Sequence, residues 1–192
     1  MSLKLNIIVG STRPGRAGLP IGHWLKVFAL AHGAFDVELV DLADFNLPLL
    51  DEAAHPVFQQ YEHEHTKRWS ASVNSADAYV FVTPEYDYFP PASLVNAVQV
   101  LAREWAYKAA GVVSYGAISG GLRASQSLRQ LITTVNVHAL PQVVPIPLFD
   151  QFIVDDGIFQ PNSPMTEGTT GMLNELAKWT RALKPMRLEA AA

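Results

Sequence analysis

The sequence predicts an α/β fold in which a parallel β-sheet carries helices on both faces. Strand-like and helix-like segments alternate along the chain, a pattern typical of βαβ units. Several of the strand-like segments are apolar on both sides, as strands buried in a parallel sheet are. A length of 192 residues, 49% of them hydrophobic, suits one compact domain. We therefore expect a single domain over residues 1–192, with a frayed tail over 185–192.

The individual elements follow from composition and spacing. Five short runs rich in Val, Ile and Phe are the expected strands: Leu3–Val9, Phe35–Val40, Ala78–Thr83, Ala110–Ser114 and Gln142–Ile146. Five segments with helical character are the expected helices: Ile21–His32, Val57–Ser75, Ala92–Ala106, Leu122–Val137 and Gly171–Leu183. Ligands of such sheets bind beyond the carboxyl ends of the strands, where the strand order reverses. The loops after the first, third and fourth strands should therefore form one site.

The first of these loops, Gly10–Arg16, has the character of a phosphate-binding loop. It lies between the first strand and the first helix, where free backbone N–H groups and the positive end of the helix dipole favour an anion. Its two glycines allow a close backbone approach. Arg13 and Arg16 add forked donors that suit a phosphate dianion. The alternative is that Gly15 makes an ordinary turn and the arginines are solvated.

The spacing within this loop narrows the class of ligand. Gly10 and Gly15 have the P-loop interval, but a P-loop continues with Lys and then Ser or Thr, which binds magnesium. Here Arg16 and Ala17 follow instead. The loop does not match the dinucleotide pattern G-x-G-x-x-G either. A single terminal phosphate is therefore the expected group.

The other two loops have complementary chemistry. The segment Thr83–Pro91 has prolines near both ends and carries aromatic rings, so it should be stiff. The segment Ser114–Gly121 is rich in glycine and offers backbone N–H groups and hydroxyls. Together with the arginine-bearing loop, they suit a flat ring with a polar edge that ends in a phosphate.

Composition limits the partners and the chemistry. With 18 acidic and 14 basic residues the net charge is −4, which argues against nucleic acid as the main partner. The chain has no cysteine, so disulfides, thiolate catalysis and cysteine metal sites are excluded. No apolar run is long enough to span a bilayer, and no signal-peptide pattern is present. We expect a cytoplasmic protein whose redox chemistry, if any, comes from a bound cofactor.

At the level of motifs, the chain resembles the NADPH-dependent FMN reductase family. The match covers Leu5 to about Leu131 and rests on several segments in a fixed order. These segments are Gly10-Ser11-Thr12-Arg13, Ala76-Asp77-Ala78, Thr83-Pro84-Glu85-Tyr86, Leu94-Val95-Asn96-Ala97, Ser114-Tyr115-Gly116 and Gly120-Gly121-Leu122-Arg123-Ala124. The resemblance implies a flavodoxin-like three-layer sandwich with the strand order 2-1-3-4-5. It also implies an NAD(P)H-dependent oxidoreductase of the flavin, quinone, azo-dye and chromate reductase kind.

The resemblance further implies FMN and NADPH, or NADH, as cofactors, with no residue assignable to the extra phosphate of NADPH. The residues implied for FMN binding are those of the three loops: Ser11, Arg13 and Arg16 at the phosphate, Pro84, Glu85, Tyr86 and Asp87 along the ring, and Ser114, Tyr115 and Gly116 on the other side. A homodimer or a dimer of dimers, with the flavin near the subunit interface, is also implied. The expected partner is a small electron acceptor: a flavin, a quinone, an azo compound or a metal oxyanion. The segments Leu42–His55 and Phe149–Phe159 are candidates for shaping its slot.

Two places depart from the family pattern: Val95 and Gln99, where the family commonly carries Lys and Asp, and Asp87 in the second loop. The family usually has Asn after Pro-Glu-Tyr, whereas this chain has Asp87. An ionised Asp accepts hydrogen bonds but cannot donate them. A negative charge near the flavin should also oppose its anionic reduced form, so we expect a lower reduction potential than with Asn.

Competing interpretations remain at the level of function. Flavin chemistry needs no catalytic triad, and Gly116–Gly120 is not a nucleophile elbow, so no catalytic side chain is expected. The main alternative is a flavodoxin-like FMN electron carrier that does not oxidise NADPH. Carriers dock their partners through strongly acidic faces, and the modest net charge argues against that interpretation. A third possibility is a phosphate-binding module without flavin.

Individual side chains also have two interpretations. Glu85 either assists protonation or pairs with an arginine, and the second is favoured. Tyr86 either contacts the ligand or only packs. Arg123 either reaches the site or ties the fourth loop to its helix. The histidines at 55, 63 and 65 are expected to be solvated rather than metal ligands, because residues two apart do not share a helix face.

Overall fold

Five parallel strands form the central sheet, in the order β2-β1-β3-β4-β5. The computed structural model describes residues 2–154 and 157–190. The strands are β1 Leu3–Val9, β2 Phe35–Asp41, β3 Ala78–Pro84, β4 Lys108–Gly116 and β5 Val137–Pro147. The helices are α1 Gly18–His32, α2 Glu64–Ser75, α3 Ala92–Gln99, α4 Leu122–Thr133 and α5 Ser163–Ala190. The predicted fold class and strand order are confirmed.

The apolar core lies on both faces of this sheet. On one face Leu5 and Ile7 pack with α1 and α5, and on the other Ile8 packs with α2, α3 and α4. Neighbouring side chains of a strand point to opposite faces, so the apolar run Ile7-Ile8 at the centre of β1 supplies side chains to both layers. Trp69 and Trp105 are fully buried in the second layer, where each indole N–H donates to a carbonyl of α3. A buried Trp usually has a hydrogen-bond partner for its indole N–H, and both of these residues have one.

Three predicted helices are shorter in the structure. The helix expected over Leu122–Val137 ends at Thr133, because Asn136 takes a left-handed conformation (φ of 65°) just before β5 begins at Val137. The helix expected over Val57–Ser75 begins only at Glu64, because Gln59 takes a left-handed conformation, with φ of 54°, that ends a short 3₁₀ turn. The helix expected over Ala92–Ala106 ends at Gln99. There the Glu104 carboxylate accepts a hydrogen bond from the backbone N–H of Ala102, a donor that a continued helix would use internally.

The last helix is longer than the predicted Gly171–Leu183. Helix α5 begins at Ser163 and runs to Ala190, where the sequence predicts a frayed tail from residue 185, and Pro185 lies inside it. Asp77, at the start of β3, accepts hydrogen bonds from Lys184 (2.8 Å) and from Arg187. These ion pairs hold the last turns of α5 against the sheet. A short antiparallel pair, β6 Ile153–Val154 and β7 Ile158–Phe159, also forms ahead of α5.

A buried polar cluster lies at the amino-terminal edge of the sheet, opposite the site loops. Lys108 is 1% exposed, and its ammonium donates to the carbonyl of Val73 (2.8 Å), to that of Asn74 (3.3 Å) and to the Tyr79 hydroxyl (2.9 Å). It therefore satisfies carbonyls at the end of α2 that have no partner within the helix. Burial, together with the positive charge of Arg187, lowers the pKa of Lys108 to about 7.

Within the described residues, no helix combines the length and the apolar character needed to cross a membrane.

The pKa of Lys108 predicts a specific pH dependence of stability. The unfolded side chain titrates near its ordinary value of about 10.4, so between pH 7 and 10 unfolding takes up a proton. The free energy of unfolding should therefore rise with pH across this window, with a contribution from Lys108 of up to about 1.4 kcal/mol per pH unit. Urea denaturation of wild type and Lys108→Met at pH 7, 8 and 9 measures it. The variant should lose this slope.

The matched control is Lys178→Met, an exposed lysine of α5, which should keep the wild-type slope. Equal slopes for wild type and Lys108→Met would contradict the assignment.

Candidate functional site

The loops after β1, β3 and β4 converge at the carboxyl edge of the sheet. They enclose a cavity of about 280 Å³. Its lining comes from all three loops and from the segment after β5: Arg13, Gly15, Arg16, Ala17, Pro84, Glu85, Tyr86, Tyr115, Gly116, Ala117 and Phe149. Seven of the ten residues predicted for the site line this cavity, and Ser11, Asp87 and Ser114 do not. The cavity lies where the strand order of the sheet reverses, between β1 and β3.

A tight turn shapes the first loop. The N–H of Arg16 donates to the carbonyl of Arg13 at 3.2 Å, closing a four-residue turn. Pro14 occupies its second position and Gly15 its third, with φ of 69°. This is the residue pattern of a type II turn, which requires a positive φ at the third position. Gly15 is therefore conformationally required, as the turn interpretation proposed, and it also lines the cavity.

The first helix begins without a side-chain cap. Helix α1 follows Ala17, no side chain bonds its first N–H groups, and its first turn contains no acidic residue. The positive end of the helix dipole and the free N–H groups of the first turn are thus available to an anion. Gly18 allows a close contact here, because a Cβ at this position would lie 2.8 Å from the Tyr115 hydroxyl oxygen.

The two arginines of the first loop have different environments. Arg16 forms an ion pair with Asp41, the last residue of β2, whose carboxylate also accepts from the N–H of Ala43 at 3.0 Å. Arg13 is exposed and has no ion-pair partner within residues 2–154 and 157–190. Arg13 is therefore the cation available to a ligand, while Arg16 is held by Asp41.

The two predicted serines have buried side chains that face the protein. The Ser11 hydroxyl lies 2.8 Å from the Tyr86 hydroxyl, in a bond that either oxygen can donate. The Ser114 hydroxyl donates to the carbonyl of Gly120 at 2.8 Å. Their hydroxyl groups therefore connect the site loops: Ser11 fixes the ring of Tyr86 at the cavity wall, and Ser114 fixes the glycine-rich turn.

Asp87 lies in a two-residue turn at the tip of the second loop. Tyr86 and Phe89 exchange two backbone hydrogen bonds of 2.9 Å, and the residues between them, Asp87 and Tyr88, have φ values of 49° and 70°. Two successive positive φ values define a type I′ turn, which favours Asn and Asp at its first central position. Asp and Asn meet the same backbone requirement, so the turn itself accepts this departure from the family pattern. The carboxylate of Asp87 is exposed.

Glu85 joins the second loop to helix α4. Its carboxylate accepts from the Ser119 hydroxyl (2.8 Å), from the Arg123 guanidinium (2.9 Å), and from the backbone N–H groups of Arg123 (3.0 Å) and Ala124 (3.2 Å). Burial raises the pKa of Glu85, but these hydrogen bonds outweigh it, so the pKa lies below its ordinary value. Glu85 is thus an ionised helix cap rather than a proton donor.

Arg123, on the first turn of α4, contacts the second site loop. Its guanidinium binds Glu85 of the same chain and lies over the ring of Tyr88, 4.2 Å from its centroid. Arg123 therefore ties the second loop to α4, a contact that the sequence analysis did not predict.

Two aromatic rings give the cavity an apolar wall. Tyr115 and Phe149 meet edge to face, with ring centroids 5.3 Å apart. Burial raises the pKa of Tyr115, so its hydroxyl stays protonated. The hydroxyl oxygen is buried beside the Ser11 hydroxyl and the backbone N–H of Gly18, and both of these act to lower its pKa. Tyr115 is therefore held against the first loop and the start of α1.

Sequence reasoning missed Asp41 and did not place Phe149 in the cavity wall. Asp41 had an available signal, since it ends β2 at the same edge of the sheet as the site. Phe149 lies in a segment that the sequence analysis proposed only as part of an acceptor slot. The other such segment, Leu42–His55, contributes Leu42 and Asn46 to a neighbouring cavity of about 310 Å³ that also involves Thr12.

The capping role of Glu85 predicts a stability effect. Glu85→Ala removes the side chain that caps α4, so it should lower the free energy of unfolding by about 1–2 kcal/mol at pH 7. Because the folded pKa is lowered, the stabilisation is present above the unfolded pKa of about 4.3 and is lost as the pH falls below it. Urea denaturation at pH 7 and pH 3.5 measures both effects. Glu62→Ala, at an exposed position, is the control, and equal losses in the two variants would contradict the capping role.

Comparison with known proteins identifies the family. The family model described as NADPH-dependent FMN reductase matches residues 3–151. An NAD(P)H-dependent FMN reductase from Nectria sp is 33% identical over 186 residues, covering 91% of this chain and 92% of that protein. One from Schizosaccharomyces pombe is 36% identical over 166 residues, covering 85% and 82%.

A solved structure supports the same fold. The flavoenzyme NAD(P)H:(acceptor) oxidoreductase from Paracoccus denitrificans superposes with a TM-score of 0.73 at 19% identity, covering 94% of this chain and 98% of that one. The resemblance predicted from the motifs is thereby confirmed. The chain belongs to the NADPH-dependent FMN reductase family, whose members are oxidoreductases that use FMN and NAD(P)H.

Proposed function

We propose that this chain holds FMN at the carboxyl edge of its sheet and uses it to pass hydride from NADPH, or NADH, to a small electron acceptor. The observation that supports this most strongly is the juxtaposition of an uncapped helix end, a free arginine and an aromatic-walled cavity. One end of that arrangement suits a phosphate and the other suits a flat ring.

The phosphate end is formed by the first loop. The turn over Arg13–Arg16 and the first N–H groups of α1 offer backbone donors, and Arg13 adds a guanidinium. In this proposal Arg16 and Ser11 do not contact the phosphate with their side chains. Asp41 binds Arg16, and the Ser11 hydroxyl is hydrogen-bonded to that of Tyr86. The anion would then be bound mainly by backbone groups and one side chain.

The ring end is formed by the second and third loops. Pro84 and Tyr86 of the second loop and Tyr115 and Gly116 of the third line the cavity, together with Phe149. A Cβ at Gly116 would lie 3.2 Å from the backbone nitrogen of Gly121, so the two turns of the third loop pack closely. Asp87 and Ser114 support these loops from outside the cavity.

The tasks of the protein are binding, orientation and exclusion of water. Bound FMN supplies the chemistry itself, since a flavin accepts hydride from nicotinamide and passes electrons on. Glu85 holds its loop as an ionised cap and is not needed as an acid. No triad or metal step is part of the proposal. Flavins, quinones, azo compounds and metal oxyanions are the candidate acceptors.

An apolar rim favours assembly around the site. Five large apolar side chains beside the cavity loops are at least two-fifths exposed: Tyr88, Phe89, Ile118, Leu122 and Leu148. Exposed apolar side chains gathered beside one site are typical of a contact surface. We propose that a second copy covers this rim, giving a homodimer or a dimer of dimers.

The experiment that tests the function is an anaerobic visible spectrum of the FMN-loaded protein before and after NADPH is added. Rapid bleaching of oxidised flavin, followed by recovery of the absorbance on adding a quinone, is the expected result. A perturbed flavin spectrum that neither NADPH nor NADH bleaches would favour the electron-carrier alternative. A spectrum identical to that of free FMN would overturn the proposal.

The role of Arg13 predicts a phosphate-specific loss of affinity. Charge-assisted hydrogen bonds contribute about 1.5–3 kcal/mol, so Arg13→Ala should raise the Kd for FMN by about 10- to 150-fold. Riboflavin lacks the phosphate, so its Kd should not change. Flavin fluorescence titration measures both constants. The control Arg181→Ala, at an exposed position on α5, should bind both flavins like wild type. Equal losses for FMN and riboflavin would show that Arg13 does not contact the phosphate.

A further inference from the structure

The amino-terminal edge of the sheet carries a second cavity, larger than the one at the site loops. Its volume is about 540 Å³, and its lining residues are Gln59, Asn74, Arg103, Glu104, Ala106, Tyr107 and Arg187. They come from the segment before α2, the end of α2, the turn that leads into β4, and α5. Because the FMN site lies at the carboxyl ends of the same strands, the two cavities are at opposite ends of the sheet.

Two guanidinium groups line this cavity, and neither is neutralised completely. Arg187 binds Asp77 through one terminal nitrogen, Nη2, while its Nη1 is buried and has no hydrogen-bond partner in the part of the chain that the structure describes. Arg103 is exposed and forms no ion pair with any described residue. A buried guanidinium N–H without an acceptor is costly, so this position favours an incoming acceptor.

The one carboxylate in the cavity wall is already occupied. Glu104 accepts at Oε1 from Gln59 (3.0 Å), Tyr61 (2.9 Å) and Ser70 (2.8 Å), and at Oε2 from the N–H of Ala102 (3.3 Å). These neutral donors hold the carboxylate in place, and among the described residues it forms no ion pair with either arginine.

The buried lysine behind the cavity responds to the same positive field. Lys108 donates to the carbonyl of Asn74, which is a lining residue. Three charged groups act on Lys108: Arg187 from α5, Asp77 just before β3 and Glu104 from the turn before β4. The hydroxyl of Tyr79, which also contacts Lys108, is neutral. Burial is the main cause of the lowered pKa of Lys108, the charge of Arg187 lowers it further, and the charges of Asp77 and Glu104 raise it.

We infer that this cavity is an oxyanion site, which binds a phosphate or carboxylate group between Arg103 and Arg187. The anion would accept from Arg187 Nη1 and from the Arg103 guanidinium, the forked donors best suited to such groups. Ala106 and the ring of Tyr107 would contact the remainder of the ligand. The site is separate from the FMN site and does not depend on the proposed function.

The test is a ¹H–¹⁵N NMR titration of the FMN-mixed full-length protein with sodium phosphate, and separately with sodium succinate, at constant ionic strength. The amides of Ala106 and Tyr107 report on this cavity, and those of Gly15 and Arg16 report separately on the phosphate loop. Saturable shifts at Ala106 and Tyr107 with either anion support the inference. Which anion binds more tightly identifies the group as phosphate or carboxylate.

Two variants test the assigned donors. Arg103→Met changes an exposed side chain and should leave the fold intact, while Arg187→Met removes the buried guanidinium and also its pair with Asp77. Each should weaken binding at least tenfold, and Arg181→Met on the same helix should not weaken it. Because Arg103→Met leaves the Asp77 pair in place, unchanged binding in that variant would count against the site even if Arg187→Met is unstable. Absence of saturable shifts in the wild-type protein with both anions would overturn the inference.

Discussion

The candidate site depends on a single carboxylate, that of Glu85. Four hydrogen bonds converge on it, and they join the loop after β3 to the loop after β4 and to the first turn of α4. Without it, the amino terminus of α4 would lose its cap and the two loops would lose their common partner. Its negative charge also compensates the dipole of α4, whereas no side chain caps the start of α1.

Elsewhere in the site, too, some side chains are bound by protein partners while their neighbours are exposed or line the cavity. Asp41 holds Arg16 while Arg13 is exposed, and Tyr86 is fixed by Ser11 while its ring lines the cavity. Supporting side chains of this kind reduce the freedom of the groups that meet a ligand. A loop ordered before binding loses less conformational entropy when the ligand arrives.

The buried parallel sheet could be predicted because its signal is local. The strands are short runs rich in Val, Ile and Phe, and the segments between them carry helical spacing, so the fold class and the approximate strand positions followed from the sequence. The end of α3 could not be predicted, because it depends on the carboxylate of Glu104 reaching back to Ala102. The extension of α5 was missed for a similar reason, since it depends on Asp77, more than 100 residues earlier in the chain.

Within the site, sequence reasoning found which loops meet but not which side chains face inward. The strand order places the carboxyl ends of β1, β3 and β4 side by side. The inward turn of Ser114 toward Gly120, and the pairing of Arg16 with Asp41, depend on rotamers set by tertiary packing. For Glu85 the sequence analysis favoured pairing with an arginine but did not name Arg123 as the partner, because the loop after β3 and the start of α4 meet only in the folded chain.

The most direct test of the account is to map the FMN phosphate on the protein by NMR, comparing the amide shifts caused by FMN with those caused by riboflavin. The account predicts that the difference between the two ligands is confined to residues 11–18, the first loop and the start of α1. It also predicts that both ligands shift Tyr86, Tyr115 and Gly116. A difference centred elsewhere, or an absence of shifts at Tyr86 and Tyr115, would contradict the placement of the cofactor at this edge of the sheet.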